Sequence, residues 1–135
     1  MQYWLMKSEP DVYSYDKLAK EGKGTWDGVR NFQAQSNLKK MKVGDLSFFY
    51  HSNIGKEIVA IMKITKEHFQ DPTTKETKWV AVEVEPFQKL DKPVTLAAIK
   101  ADSRFQHLLL VRQGRLSVME LKKDEFDALL EMGTN

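Results

Sequence analysis

The 135-residue sequence contains no cysteine. That absence excludes disulfides, thiolate nucleophiles and the usual structural zinc sites, so packing must hold the fold together. Net charge is also scarce: 21 basic against 19 acidic side chains leave +2, too little to draw nucleic acid by charge alone. No apolar run approaches the roughly 20 residues of a membrane-spanning helix. Residues 1–7, MQYWLMK, carry no basic start followed by an apolar core and a cleavage site, so neither export nor membrane association is expected. A cytoplasmic protein of bacterial type is expected, for no long basic tail is present. The glycines form neither a P-loop nor a dinucleotide-binding pattern, and no cofactor is expected. No serine sits in a G-x-S-x-G elbow. The three histidines, His51, His68 and His107, lack a spaced carboxylate cluster, which predicts no metal site.

What is present is ordinary globular composition, 41% hydrophobic and 30% charged, fitting one domain over residues 1–135. YWLMK reads as a strand ended by Pro10. Ser14 reads as the N-cap of a short helix through Lys20, stopped by Gly22. Gly24 and Gly28 bracket a loop carrying Trp26. From Asn31 to Met41 the pattern is helical, with Phe32, Leu38 and Met41 able to face inward. DLSFFYHS is an apolar strand ending in Tyr50, His51 and Ser52. KEIVAIMKITKEHF and KWVAVEVEPF form a hairpin whose turn chemistry comes from Asp71 and Pro72. Thr95 caps another helix, FQHLLL is a short helical piece, RLSVMEL a late strand and DEFDALLEM a closing helix. About five strands with singly inserted helices predict an α+β arrangement, a small curved mixed or antiparallel sheet or barrel.

The chemistry concentrates in GTWDGVRNFQAQSNLKK, residues 24–40. Trp26 offers an aromatic face. Arg30, Asn31, Gln33 and Asn37 offer forked donors and amides, the last two one helical turn apart. A plane beside such groups suits a nucleobase, which needs stacking and edge hydrogen bonds. Lys7, Ser8 and Glu9 end the first strand, and Tyr50, His51 and Ser52 end another; if those strands are neighbours, both polar ends converge. Arg112, Gln113, Arg115 and Ser117 follow an apolar helix and could form a rim. Lys39, Lys40 and Lys42 are the one dense basic cluster, a solvated helix end or phosphate contacts.

YWLMKSEP, GTWDGVRNFQAQSNLKKMKVGDLSFFYHS and ADSRFQHLLLVRQGRLSVMEL, in this order, closely resemble the EVE domain family, including bacterial stand-alone members and the thymocyte nuclear protein group. The resemblance covers nearly the whole chain and implies a PUA-like barrel of about five or six strands with short helices, related to YTH and ASCH domains. It implies recognition of a modified base, particularly a modified cytosine, in DNA or RNA. Carried over, it puts Lys7, Ser8 and Glu9 on one wall of a ligand pocket and Trp26, Val29, Arg30 and Asn31 on the next. Gln33 and Asn37 would lie on the adjoining helix, Tyr50, His51 and Ser52 opposite, and Arg112, Gln113 and Ser117 on the rim. Phe32, Gln35 and Ser36 depart from the tyrosine, arginine and asparagine of typical members, and loss of charge at Gln35 implies a weaker grip on phosphate.

Three functions remain open on these residues. The first is a non-catalytic nucleic-acid reader, monomeric or weakly dimeric and aided by other proteins. The second, by analogy with ASCH domains, is an amidohydrolase acting on a modified nucleoside, with Lys7 activating Ser8 or water and Glu9 as general acid or base. The third is an interaction module for a peptide or metabolite.

Overall fold

The computed structural model describes residues 1–135. Six strands form one mixed sheet: β1 (Tyr3–Ser8), β2 (Gly24–Trp26), β3 (Leu46–His51), β4 (Glu57–Gln70), β5 (Val80–Thr95) and β6 (Val118–Leu121), in the order β2-β5-β4-β3-β1-β6. Only β1 and β3 pair in parallel; every other pairing is antiparallel. Five helices surround it, α1 (Tyr15–Glu21), α2 (Phe32–Lys40), α3 (Leu96–Ala101), α4 (Leu109–Arg112) and α5 (Lys123–Met132), with a 3-10 turn at Ser103–Phe105. No helix is long and apolar enough to cross a membrane.

Local chemistry sets most boundaries. Ser14, Asn31 and Thr95 cap α1, α2 and α3 by accepting backbone N–H groups of Lys17, Ala34 and Ala98, satisfying donors that a helix start leaves free. The centres of β1 and β3 are covered on both faces, with Trp4, Leu5, Met6, Phe48 and Phe49 fully buried. Fully burying such a side chain contributes roughly 1.5–3 kcal/mol, so this pair anchors the core. On one side Phe126 of α5 stacks on Phe48 at 4.2 Å. On the other, Phe49 meets Trp26, Tyr13, Tyr15 and His51 at centroid distances of 5.2–6.3 Å.

Four local expectations need correction. Trp26 ends strand β2, paired with Val82 of β5, rather than sitting in a loop. A strand of three residues is too short to show an alternation. β5 runs through Thr95, eight residues past Phe87, its register with β4 broken by several shifts that let one strand bend. FQHLLL is divided between the 3-10 turn and α4. Phe32 faces solvent, 70% exposed, with its ring stacked on Trp79 at 5.2 Å. At about 100° per residue it lies about 120° around the helix from the buried Leu38.

Helix α2 closes the fold. β2 and β6 are opposite edges of the sheet, and α2 packs against both β5 and β6. Gln35 donates Nε2 to the carbonyls of Val29 (2.8 Å) and Val80 (3.0 Å) and accepts the Val80 N–H (2.8 Å). Asn37 donates to the Val118 carbonyl at 2.8 Å. Two amides two residues apart thus reach from one helix to the edge strand β6 and to Val80 of β5, beyond the stretch that β2 covers, where backbone groups would otherwise go unpaired.

Candidate nucleic-acid interface

A cleft of about 230 Å³ lies where β1, the end of β2 and the residue before β6 meet. Of the residues singled out from sequence, Lys7, Ser8, Trp26, Val29, Arg30 and Ser117 line it. Its volume falls below the roughly 300–1,000 Å³ of drug-sized sites and suits a single flat ring. Trp26 is 5% exposed and wedged edge-on between Phe49 and Tyr13. Most of its ring is therefore core, although its indole N–H has no acceptor in the protein and is not sealed from solvent. Val29, also nearly buried, supplies an apolar wall.

The backbone between Trp26 and α2 is held by one carboxylate. Asp71 is buried at the head of the β4–β5 turn and accepts from Gly28 N (2.9 Å), Arg30 Nη1 (2.9 Å), Thr73 N (2.7 Å) and Thr73 Oγ1 (2.6 Å). Burial pushes its pKa up, but the bonds from Thr73, Arg30 and Gly28 overrule it and leave the group at about 2. Gly28 has φ 75°, a conformation most side chains resist, and it brings the N–H onto Asp71. Arg30 also donates to Val29 O and Thr73 Oγ1 and lies 5.4 Å from the Trp79 ring. Its fork therefore positions the loop; it is not a free reader of a base edge. Asp71 was legible only as turn chemistry. The D-x-T spacing of Asp71 and Thr73 is the signal that could have marked it as an Asx turn.

Of the lining residues that escaped the sequence reading, two carry ionisable groups. Asp27 projects at the cleft with its pKa raised, first by burial and then by Asp71, against the pull of Arg30 and a backbone hydrogen bond. Tyr13 lines the cleft with its ring, and its buried hydroxyl has no hydrogen-bond partner. That hydroxyl fills the space beside Gly24, where an added Cβ would stand 2.0 Å from it. Burial, then Glu21 and Asp27, raise its pKa.

The remaining expected residues are placed elsewhere. Glu9 is exposed, its carbonyl receiving the N–H groups of Val12 and Tyr13 in the turn after β1. Asn31 is spent as the cap of α2, and Gln33 points to solvent beside it. Asn37 is committed to Val118. Arg112 bonds the Gln106 carbonyl, and Gln113, exposed, ends α4. Gln35, where the loss of charge implied a weaker grip on phosphate, is a buried strut.

The two polar strand ends are indeed side by side, Lys7 opposite Tyr50 and Ser8 opposite His51. They converge only in part, because successive side chains of a strand alternate faces: Lys7 and Tyr50 share a cavity, whereas Ser8 and His51 open into different ones. Tyr50 and Ser52 line a second cavity with Lys7, and His51 a third with Tyr15 and Glu57. Burial, then Glu57, push the Tyr50 hydroxyl up to about 12. His51 accepts the Tyr15 N–H through Nε2 at 3.1 Å, and burial lowers its pKa against Glu57 and Asp16. It acts as a neutral acceptor that fixes α1. Lys7, half-buried, donates to Gly114 O at 3.0 Å, and burial lowers its pKa. Ser8 donates its hydroxyl to Tyr13 O at 2.8 Å.

Lys39 and Lys40 occupy the last turn of α2, and Lys42 lies 3.7 Å from Glu67. A nine-residue helix is about 13 Å long, which puts these lysines at the far end from Arg30 and the cleft.

A family model described as EVE domain matches residues 2–132. Human thymocyte nuclear protein 1 is 34% identical over 164 aligned positions, covering 96% of this chain and 73% of its own length. The solution structure of a Rhodopseudomonas palustris protein is 42% identical with a TM-score of 0.93, covering 98% of this chain and 93% of that one. Human THYN1 protein in complex with 5-methylcytosine-containing DNA is 32% identical with a TM-score of 0.92, covering 100% and 99% of the two chains.

Proposed function

The chain belongs to the EVE domain family, and on that premise we propose that it is a non-catalytic, cytoplasmic nucleic-acid-binding domain whose cleft accommodates one modified, cytosine-derived base. The observation that carries this reading is the cleft itself, a ring-sized space that joins an apolar wall to a carboxylate, in a fold shared with human THYN1 bound to 5-methylcytosine DNA. Cytosine presents an exocyclic amine donor, for which a carboxylate is a standard partner. Asp27 is the acceptor in this arrangement. Val29 faces the methyl-sized substituent, and Trp26 with Tyr13 bounds the ring.

Selectivity has to come from Asp27 rather than from the methyl group. Burying one methyl contributes only about 0.8 kcal/mol, whereas a hydrogen bond to a charged group contributes about 1.5–3 kcal/mol. Extruding a base costs a few kcal/mol, roughly what stacking returns, so affinity for an isolated base is modest. The amidohydrolase alternative is the less supported: the Ser8 hydroxyl is turned to a backbone carbonyl, Lys7 to another, and Glu9 lies outside the cleft.

Fluorescence anisotropy of one labelled single strand carries the test, in DNA and RNA versions with cytosine, methylcytosine, hydroxymethylcytosine, acetylcytosine or thymine (uracil in RNA) at one position. Mass spectrometry follows the ligand. Tightest binding to one cytosine derivative, a roughly tenfold loss in Asp27→Ala and unchanged ligand mass are expected. Asp27 is exposed, so this variant keeps the fold, whereas Trp26→Ala would confound binding with folding. Equal binding to every strand, or a change in ligand mass, overturns the reading.

A further inference from the structure

The second cavity, of about 230 Å³, shares Lys7 with the base cleft and is lined by Tyr50, Ser52, Asn53, Lys56 and Lys100 among others. Three ammonium groups and no carboxylate face it. None of Lys7, Lys56 and Lys100 is in an ion pair. On a chain whose charges nearly cancel, three unpaired cations around one concavity are a local excess of one sign. The turn after β3 shapes the wall, with Asn53 and Lys56 in left-handed conformations at φ 68° and 50°. Past Lys56 and Lys100 the cavity continues into a wider groove of about 460 Å³ that also lacks acidic lining.

We propose that this lysine-lined cavity is a second subsite that takes a phosphodiester group of the strand whose base occupies the first cleft. Lys7 stands between the two spaces, so base and backbone are held from either side of one residue. Its bond to Gly114 O uses one of three ammonium donors and leaves two. Lys56 and Lys100 are exposed and free to follow the backbone outward. The lysines at the end of α2 are the competing phosphate contacts; they line neither space, and Lys42 is already near Glu67. The proposal takes the identity of its ligand from the base-reading function. Its test therefore uses a probe that has no base.

The probe is a six-unit abasic DNA strand, titrated into isotopically labelled protein and followed by backbone amide shifts. Saturable shifts are expected at residues 52–56 and Gly114. They should disappear in Lys56→Glu/Lys100→Glu and persist in Lys39→Glu/Lys40→Glu, which changes net charge equally. Absence of shifts at these amides, or equal loss in both variants, overturns the subsite. With the modified-base strand, Lys56→Glu/Lys100→Glu should reduce the slope of log affinity against log salt by about 1.4, for two phosphate contacts on a single strand. If the abasic strand binds here but no base is discriminated, the subsite stands and the base-reading function falls.

Discussion

Gly24 and Tyr13 show how single atoms shape the cleft wall. The tyrosine hydroxyl occupies the volume a side chain at position 24 would need, and it does so without a hydrogen-bond partner. A buried unpaired hydroxyl costs free energy that an apolar atom of similar shape does not. Gly24→Ala is expected to destabilise by about 1–3 kcal/mol through overpacking. Tyr13→Phe should be neutral or slightly stabilising. Combined, the two should lose less than their sum, since removing the hydroxyl relieves the 2.0 Å contact and leaves the ring carbon at 3.0 Å. Urea unfolding of the three variants gives the coupling; additive losses would mean the clash is relieved by backbone movement instead.

Among the elements, α2 carries the largest share of what the sequence suggested and the structure reassigned. Its amides looked like base readers because core helices seldom spend a face on them. Asn37 is instead a bolt to β6 and Gln33 is solvated, while Gln35, which was not among those readers, ties the helix to β5. Gln35→Ala removes three hydrogen bonds and deprives the Val80 N–H and C=O of their side-chain partner, while the Val29 carbonyl keeps the Arg30 donor. A loss of about 2–4 kcal/mol is expected, each buried orphan costing about 1–3 kcal/mol. Gln33→Ala, by contrast, should stay within about 0.5 kcal/mol. Thermal unfolding of the pair checks this, and equal effects would contradict the strut.

Across the whole molecule, two groups tie stability to pH in the same direction. Asp71 sits at about 2 when folded, against roughly 3.9 in an unfolded chain. His51 is lowered from its ordinary 6.5. In both cases the unfolded chain binds the proton more readily, so stability rises with pH. The His51 contribution is full above pH 6.5 and is lost as pH falls through its lowered folded value, when protonation faces Nε2 with the Tyr15 N–H it had accepted. The Asp71 contribution, about 2 kcal/mol, is full above roughly pH 4 and is lost as pH falls toward 2. Melting temperature against pH should therefore drop in two steps. His51→Gln should remove the upper step and Asp71→Asn the lower; a profile unchanged in either variant would refute that assignment.

The sequence by itself determined most of the elements, though not β2 or the length of β5, and the family. Caps at Ser14 and Thr95, the apolar centres of β1 and β3 and the Asp71–Pro72 turn are local signals, written in neighbouring residues. It also marked six of the residues lining the cleft, through the polar end of β1, the residues around Trp26 and Ser117 before β6. Only tertiary structure decided what those groups face. Arg30 was claimed by Asp71, 41 positions away, and Gln35 by Val80, 45 away. Tyr50 and Ser52 meet Lys7 in a second cavity rather than at the base cleft. A side chain's chemistry is local, but its partner is chosen by the curl of the sheet. A donor that could have read a base instead holds the loop that shapes the cleft.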